Sequence, residues 1–332
     1  MIAVIGAGAV GGVIGAALHR AGHAVTLVAR GAHLDAIRER GLRVDTPDGS
    51  FVADVPVVAS VTEIRPERVI LAVKTQDAAD AVDGLGPSVP ILCATNGVEA
   101  ERLLLRTFGA VYGALVWMTA SHLEPGVVGT FSSPPGLIDV GRVPGGDAED
   151  WADLLRSGGF ASVSRPDIVR WKYAKLLTNL GNAVQAACGG GAPDVLAAAR
   201  EEGRAALTAA GIAWVPDDEL AARTGVIRVV SVGGVARPGG STWQSLARGA
   251  GTTEVPWLNG EISLLGRLHG VPTPTNDGLQ RIATEMARAR AAPGSMSADE
   301  VRRRMLSGSA SADDDLIAPP LAAEEWEAER SS

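Results

Sequence analysis

The sequence predicts two folded parts: an α/β domain built on a mostly parallel, doubly wound sheet with a mixed edge, then a mainly α-helical domain. Three observations predict it. Short β-rich runs alternate with helical stretches over the first 120 residues. A cluster of glycines separates the first of those runs from the first helical stretch. After about residue 165 the strand signals thin out, and helical patterns continue to about Arg303. The expected divisions are therefore residues 1–165, residues 166–306 and a tail of residues 307–332. A chain of 332 residues is long enough for two domains with a large core.

The elements follow in order. "IAVIG" (2–6), "AVTLVA" (24–29), "RVILAV" (68–73) and "VPILCAT" (89–95) are apolar runs suited to a sheet covered on both faces. Between the first two, "AVGGVIGAALHRAG" has the small and apolar residues of a helix packed hard on that sheet. "DTPDGS" (45–50) predicts a turn joining two strands that interrupt the alternation. "VYGALVWM", "GVVGTFSS" and "GLIDVGRV", between Val111 and Val143, read as strand, turn and strand, hence a partly antiparallel edge. Gly189–Gly191 and Gly239–Gly240 read as connections between helices. The tail from Ser307 is rich in Ser, Ala and Asp and reads as a flexible extension, with a short helix near Trp326.

Composition narrows the class. With 46% hydrophobic and 20% charged residues the chain has the make-up of a soluble globular protein. Its formal charge of −8 is concentrated in the tail, where seven acids face one arginine, so the remainder is nearly neutral. No basic stripe suggests nucleic acid, and neither a basic amphipathic face nor a long apolar run suggests a membrane. Cys93 and Cys188 make no disulfide framework and fit a reducing compartment. The chain begins on a strand without a signal-peptide pattern, so a cytoplasmic location is expected. No metal-ligand spacing occurs, and no metal is expected.

"AVIGAGAVGG" places Gly6, Gly8 and Gly11 in G-x-G-x-x-G spacing. Glycine is common here, 41 residues, so context carries the weight: a strand precedes the motif, a helix follows, and a second strand comes about 20 residues later. Gly6 permits a tight turn, Gly8 lets a pyrophosphate approach the backbone, and Gly11 allows close helix–strand packing. Ala9 and Val10 open the helix, whose free N–H groups and positive dipole end suit a phosphate. A Rossmann-type dinucleotide site is expected, with a purely structural glycine turn as the plainer alternative. At the end of the second strand, "TLVARGAH" offers Arg30 and no acid to hold a ribose 2′-hydroxyl. Arginine suits a 2′-phosphate, so NADP(H) is the expected cofactor; a solvated loop arginine is the plainer alternative. Lys74 and Asn96 each follow an apolar run, which places them at the same carboxyl edge of the sheet, where both are expected to contact the cofactor; a plain surface lysine is the alternative for Lys74.

The helical part carries "RWKYAKLLTNLGN" (170–182). Only Lys74, Lys172 and Lys175 are lysines, against 27 arginines, and two of the three sit within one helical turn. Lysine can be tuned to exchange a proton, which arginine cannot. Lys175, Asn179 and Asn182 fall at i, i+4 and i+7 on one helical face, with Lys172 extending the stripe. Asparagine is a poor helix former, and the chain holds only five. Hydride addition to a ketone builds an alkoxide that needs a proton donor within reach, and a lysine can supply it. His122 is a further pocket candidate, although a lone loop histidine is more often structural.

"RWKYAKLLTNLGN", with "LAVKTQD" (71–77), "TNGVE" (95–99) and "STWQSLARG…TTEVPWLNGEISLLGRLHGVPTPTN" (241–276), resembles the ketopantoate reductase (2-dehydropantoate 2-reductase) family. The blocks occur in the family's order, and the similarity runs to about residue 290. The resemblance implies NADPH-dependent reduction of 2-dehydropantoate to (R)-pantoate, on the route to pantothenate and coenzyme A. It implies that Lys175 is the general acid and that Glu254 contacts substrate and organises the lysine and ribose. It implies that Asn179 and Ser241 bind substrate, with Asn182 beside them, and that Asn96 serves cofactor and substrate together. Two departures fall in the substrate pocket: Asn182 stands one position before the family's second asparagine, where this chain has Ala183, and one extra residue separates Ser241 from Glu254. A paralogue reducing another 2-oxo acid, ketone or imine therefore stays open, as does a non-catalytic NADP-sensing protein. The expected partner is a small 2-oxo acid, and two copies could pair as a homodimer.

Overall fold

The computed structural model describes residues 1–237 and 239–307; the acidic tail and the helix expected near Trp326 lie outside them. The first half alternates as the apolar runs require. β1 (Ile2–Ile5) leads into α1 (Ala9–Arg20), then β2 (Val25–Val28) and α2 (Gly31–Arg40). A hairpin of β3 (Leu42–Thr46) and β4 (Gly49–Ala53) follows, then β5 (Val57–Val58), β6 (Arg68–Leu71), α3 (Ala78–Ala81), β7 (Ile91–Cys93) and α4 (Glu99–Leu104). The half ends with β8 (Val111–Trp117), β9 (Ala120–Ser121), β10 (Val127–Thr130), β11 (Ser132–Ser133), β12 (Leu137–Arg142) and α5 (Glu149–Ser157).

Seven strands form one sheet in the order β12-β8-β7-β6-β1-β2-β5. Six are mutually parallel, and β12 runs antiparallel to β8 from Leu137↔Trp117 to Arg142↔Tyr112. That is the mixed edge expected from sequence. Both faces are covered, one by a cluster that includes Ile14, Leu18, Trp151 and Leu155, the other by one that includes Ala78, Ala100, Leu104 and Phe108. Two-sided burial explains why these strands read as unbroken apolar runs. The β3–β4 hairpin does not interrupt this sheet. It joins β10 and β9 in a second sheet of order β4-β3-β10-β9, because β3 pairs in parallel with β10 at Val127↔Arg43.

The second half is helical: α6 (Ile168–Asn179), α7 (Gly181–Cys188), α8 (Pro193–Ala209) and α9 (Asp217–Thr224) come first. After a two-residue strand β13 (Arg228–Val229) come α10 (Ser241–Ala247), α11 (Asn259–His269), α12 (Pro274–Arg288) and α13 (Ala298–Ser307). Leu176, Leu180, Val184, Leu207, Ile262, Leu279 and Ile282 belong to its core. β13 was not legible in the sequence. It pairs with β11 of the first half, Ser132↔Val229, and ties the two halves together.

The halves also share buried apolar and ionic contacts. Leu115 and Leu137 of the sheet pack with Ile168, Trp171 and Ala174 of α6 and with Leu220 of α9. Asp139 of β12 is fully buried and accepts from Arg223 of α9 through both oxygens, at 2.8 Å and 2.5 Å, and from Arg165 at 3.0 Å. Removing a charged residue from water demands such pairing. These contacts fix α6 against the sheet edge, which positions the site.

Candidate active site

The parallel strands end on one edge, so the residues following β1, β6, β7 and β8 converge there. A cavity of about 460 Å³ opens at that edge and is closed from the other side by α6, α7 and α10. Gly8, Ala9, Val10, Lys74, Asn96, Lys175, Asn179, Asn182, Ser241 and Glu254 all line it. Sequence reasoning had taken these ten from five separate stretches, and folding brings them to one place.

Gly6 and Gly11 lie beneath the lining and shape it. Gly6 has φ of +95°, and a side chain there would meet the Ala72 carbonyl at 2.9 Å. A side chain on Gly11 would stand 2.1 Å from the Gly6 carbonyl oxygen. Both positions therefore require glycine. α1 starts at Ala9 without a side-chain cap, which leaves its first N–H groups facing the cavity. Arg30 is different. It is the residue before α2, exposed at the end of β2, and it is not among the cavity-lining residues.

The Lys175 ammonium reaches from α6 across to the sheet. Its Nζ donates to Asn96 Oδ1 at 2.8 Å and to the carbonyl oxygen of Val116, the penultimate residue of β8. Burial pushes its pKa down to about 7; Lys172 and Arg237 lower it further, while Glu254 opposes the fall. Glu254, just before the turn that leads to α11, receives hydrogen bonds from the Thr75 backbone and the Asn96 side chain. Burial raises the Glu254 pKa, against the pull of Lys74 and Lys175. Asn96 thus bridges the two: its oxygen holds the amine, and its amide nitrogen faces the carboxylate. Lys74 Nζ donates to the Thr252 carbonyl at 3.2 Å, close to the same acid, and burial lowers its pKa.

Lys172 leaves the stripe on which the sequence placed it. Its side chain is 4% exposed and turns under the sheet edge. There its Nζ pairs with Glu101 at 2.6 Å and donates to the Thr95 and Ala114 carbonyls, each at 3.2 Å. Nor do Lys175, Asn179 and Asn182 share a single helix. α6 stops at Asn179 and α7 begins at Gly181, with the Leu180 carbonyl taken by the Asn259 side chain at 3.3 Å. Asn182 still reaches the cavity, from the first turn of α7.

Several lining residues carried no usable sequence signal. Arg237 and Arg248 add two cations, and Thr119, Gln244 and Ser245 add polar groups. In an arginine-rich chain neither arginine stands out locally. His122 lines the cavity and stacks on His33, ring centroids 4.2 Å apart. His33 Nε2 bonds the Ala7 carbonyl, while its Nδ1 accepts from the Gly126 amide. That pattern fixes a neutral ring with the proton on Nε2. Burial also drives the His122 pKa down to about 4, so the pair is uncharged at neutral pH.

Comparison with known proteins gives the same family from both halves. Residues 2–145 match the family described as "Ketopantoate reductase PanE/ApbA", and residues 167–287 match "Ketopantoate reductase PanE/ApbA C terminal". The chain is 28% identical over 184 residues to the 2-dehydropantoate 2-reductase of Pyrococcus horikoshii, a match spanning 54% of this chain and 60% of that protein. It is 29% identical over 327 residues to that of Mesorhizobium japonicum, covering 86% of this chain and 97% of the relative. Among solved structures, a D-mandelate dehydrogenase with NADH and anilino(oxo)acetate superposes with a TM-score of 0.74 at 22% identity, covering 88% of this chain and all of that one. That likeness shows the fold alone. With both of its halves matched, the chain belongs to the ketopantoate reductase family.

Proposed function

We propose that this protein is an NADPH-dependent reductase of a 2-oxo acid, with 2-dehydropantoate reduced to (R)-pantoate as the reaction. The observation that carries this reading is the Lys175–Asn96–Glu254 chain on the wall of a cavity that also holds the glycine turn. The glycine turn fits a dinucleotide: Gly8, Ala9 and Val10 present uncapped helix-terminal amides to the cavity, where a pyrophosphate would accept them. Arg30, exposed beyond β2, suits a 2′-phosphate reaching past the cavity rim. When bound, the reduced nicotinamide supplies the hydride.

The chain's own groups supply the rest. Lys175 gives a proton to the carbonyl oxygen as negative charge builds on it, a role matched by an amine titrating near 7. Asn96 holds that amine in place through its Oδ1. Glu254 keeps the opposite side of Asn96 fixed and tempers the fall in the Lys175 pKa. Asn179, Asn182 and Ser241 offer neutral donors for the substrate's polar groups. The family relatives' names favour 2-dehydropantoate. The same fold serves a D-mandelate dehydrogenase, so fold by itself does not select a substrate. A steady-state assay with 2-dehydropantoate and NADPH is the direct test. Turnover well above background is expected, and turnover at background with rapid reduction of another 2-oxo acid would move the reading to a paralogue.

A further inference from the structure

Arg237 is a half-buried cation on the cavity wall. Its Nε is shielded from solvent and has no hydrogen-bond partner, and among the described residues no carboxylate pairs with it. Three other polar atoms of cavity-lining residues are in the same state, Asn179 Nδ2, Thr95 Oγ1 and Thr119 Oγ1. Leaving a shielded donor without a hydrogen-bond partner is expensive. Four cations, Lys74, Lys175, Arg237 and Arg248, face a single acid, Glu254, across this cavity. The shortfall is one of negative charge.

The two arginines serve different ends. Arg248 acts electrostatically on Lys74 and His122, and His122 Nδ1 lies 3.7 Å from where a side chain on Gly8 would stand. That is the glycine-turn end. Arg237 acts on Lys175, at the reacting end. Two bonds hold the chain just after it, at Gly239 and Gly240. The Gly240 amide donates to Gln185 Oε1 at 3.0 Å, and Gln244 Nε2 donates to the Gly239 carbonyl at 3.1 Å. A guanidinium is a planar fork of donors, a shape that suits a planar two-oxygen anion.

We infer that Arg237, with the Asn179 amide, binds the carboxylate of the substrate, and so restricts the enzyme to 2-oxo acids over neutral ketones and amides. The inference rests on the reductase reading and deepens it. Neither glycine spacing nor the polar stripe of α6 and α7 points to this residue. A carboxylate seated there would set its 2-oxo group toward Lys175, while the neutral donors Asn182 and Ser241 remain for the rest of the substrate.

The test compares wild type, Arg237→Gln and Arg237→Lys with a 2-oxo acid, with its primary amide, and with NADPH. For Arg237→Gln the KM for the acid should rise about 10- to 100-fold, the range of a charged hydrogen-bonded contact. The KM for the amide should stay near wild type, NADPH affinity should not change, and Arg237→Lys should fall between. Equal losses for acid and amide would overturn the inference, as would a loss of NADPH affinity in their place, which would assign the anion to the cofactor. The absence of wild-type turnover with any 2-oxo acid would instead overturn the reductase reading. In that case, calorimetric binding of oxamate to the NADP⁺ complex still judges Arg237. An affinity for oxamate unmoved by Arg237→Gln, or no oxamate binding by wild type, counts against it.

Discussion

Asn96 Oδ1 accepts from Lys175 Nζ at 2.8 Å, so a residue at the end of a sheet strand holds the amine of a helix from the other half of the chain. The contact spans 79 positions in sequence. It makes the geometry of the proposed proton donor depend on how α6 sits against β7 and β8. The first expectation concerns that donor. Lys175→Ala should lower kcat about 10²- to 10⁴-fold, the usual contribution of a general acid. NADPH affinity, proposed to rest on the glycine turn and Arg30, should change little. Steady-state kinetics together with a cofactor fluorescence titration make the check, and a variant with near-normal kcat would remove the assignment.

The second expectation is a pH profile. Burial first, then Lys172, brings the Lys175 pKa down to about 7. Reduction needs the protonated amine, so kcat/KM for reduction should be level below about pH 7 and fall about tenfold per pH unit above it. Oxidation of the hydroxy acid needs the neutral amine and should rise over the same interval. Replacing the buried pair together, Lys172→Met with Glu101→Gln, removes the neighbouring positive charge without stranding its partner. The descending limb should then move to higher pH. A limb that stays in place would show that Lys172 only anchors α6.

Part of this was written plainly in the sequence. Lys175, Asn96 and Glu254 were legible because rare residue types stood at strand ends or in family blocks, and parallel strands bring their ends to one edge. The duty of Lys172 was not legible. Three residues from Lys175 it belongs to the same stripe by helical geometry, yet its long side chain turns to Glu101, 71 positions earlier in the chain. Nor was the break at Leu180, which depends on Asn259 capturing a carbonyl across the core. Arg237 was hidden by abundance: among 27 arginines it is marked out, within the described residues, by a shielded Nε that has no partner.

The third expectation is about stability. Asp139 is fully buried between Arg165 and Arg223, and its Oδ1 also accepts from the Val163 amide at 3.1 Å. Asp139→Asn keeps the shape and removes the charge, which leaves two partly buried guanidinium groups without a counter-ion. Breaking such a site from one side costs about 3–5 kcal/mol. Urea unfolding should show a loss of that order, and Arg223→Gln should show a loss in the same direction. A loss under about 0.5 kcal/mol, the range of an ordinary surface change, would mean that the cluster does not hold the halves together.

The fourth expectation separates the two nicotinamide cofactors. Arg30 is exposed at the end of β2 and lies outside the cavity lining, apart from the residues proposed to meet the pyrophosphate and substrate. Its only proposed contact is the 2′-phosphate. Arg30→Ala should therefore weaken NADPH about 10- to 100-fold, as expected for one charge-assisted contact, and leave NADH nearly unchanged. Because the contact is solvent-exposed, the NADPH advantage of wild type should also shrink as salt rises from 0.05 to about 0.5 M. Dissociation constants for both cofactors at two ionic strengths supply the check. Equal weakening of both would place Arg30 on a part of the dinucleotide that NADH shares. No effect on either would make it a solvated residue at the start of α2.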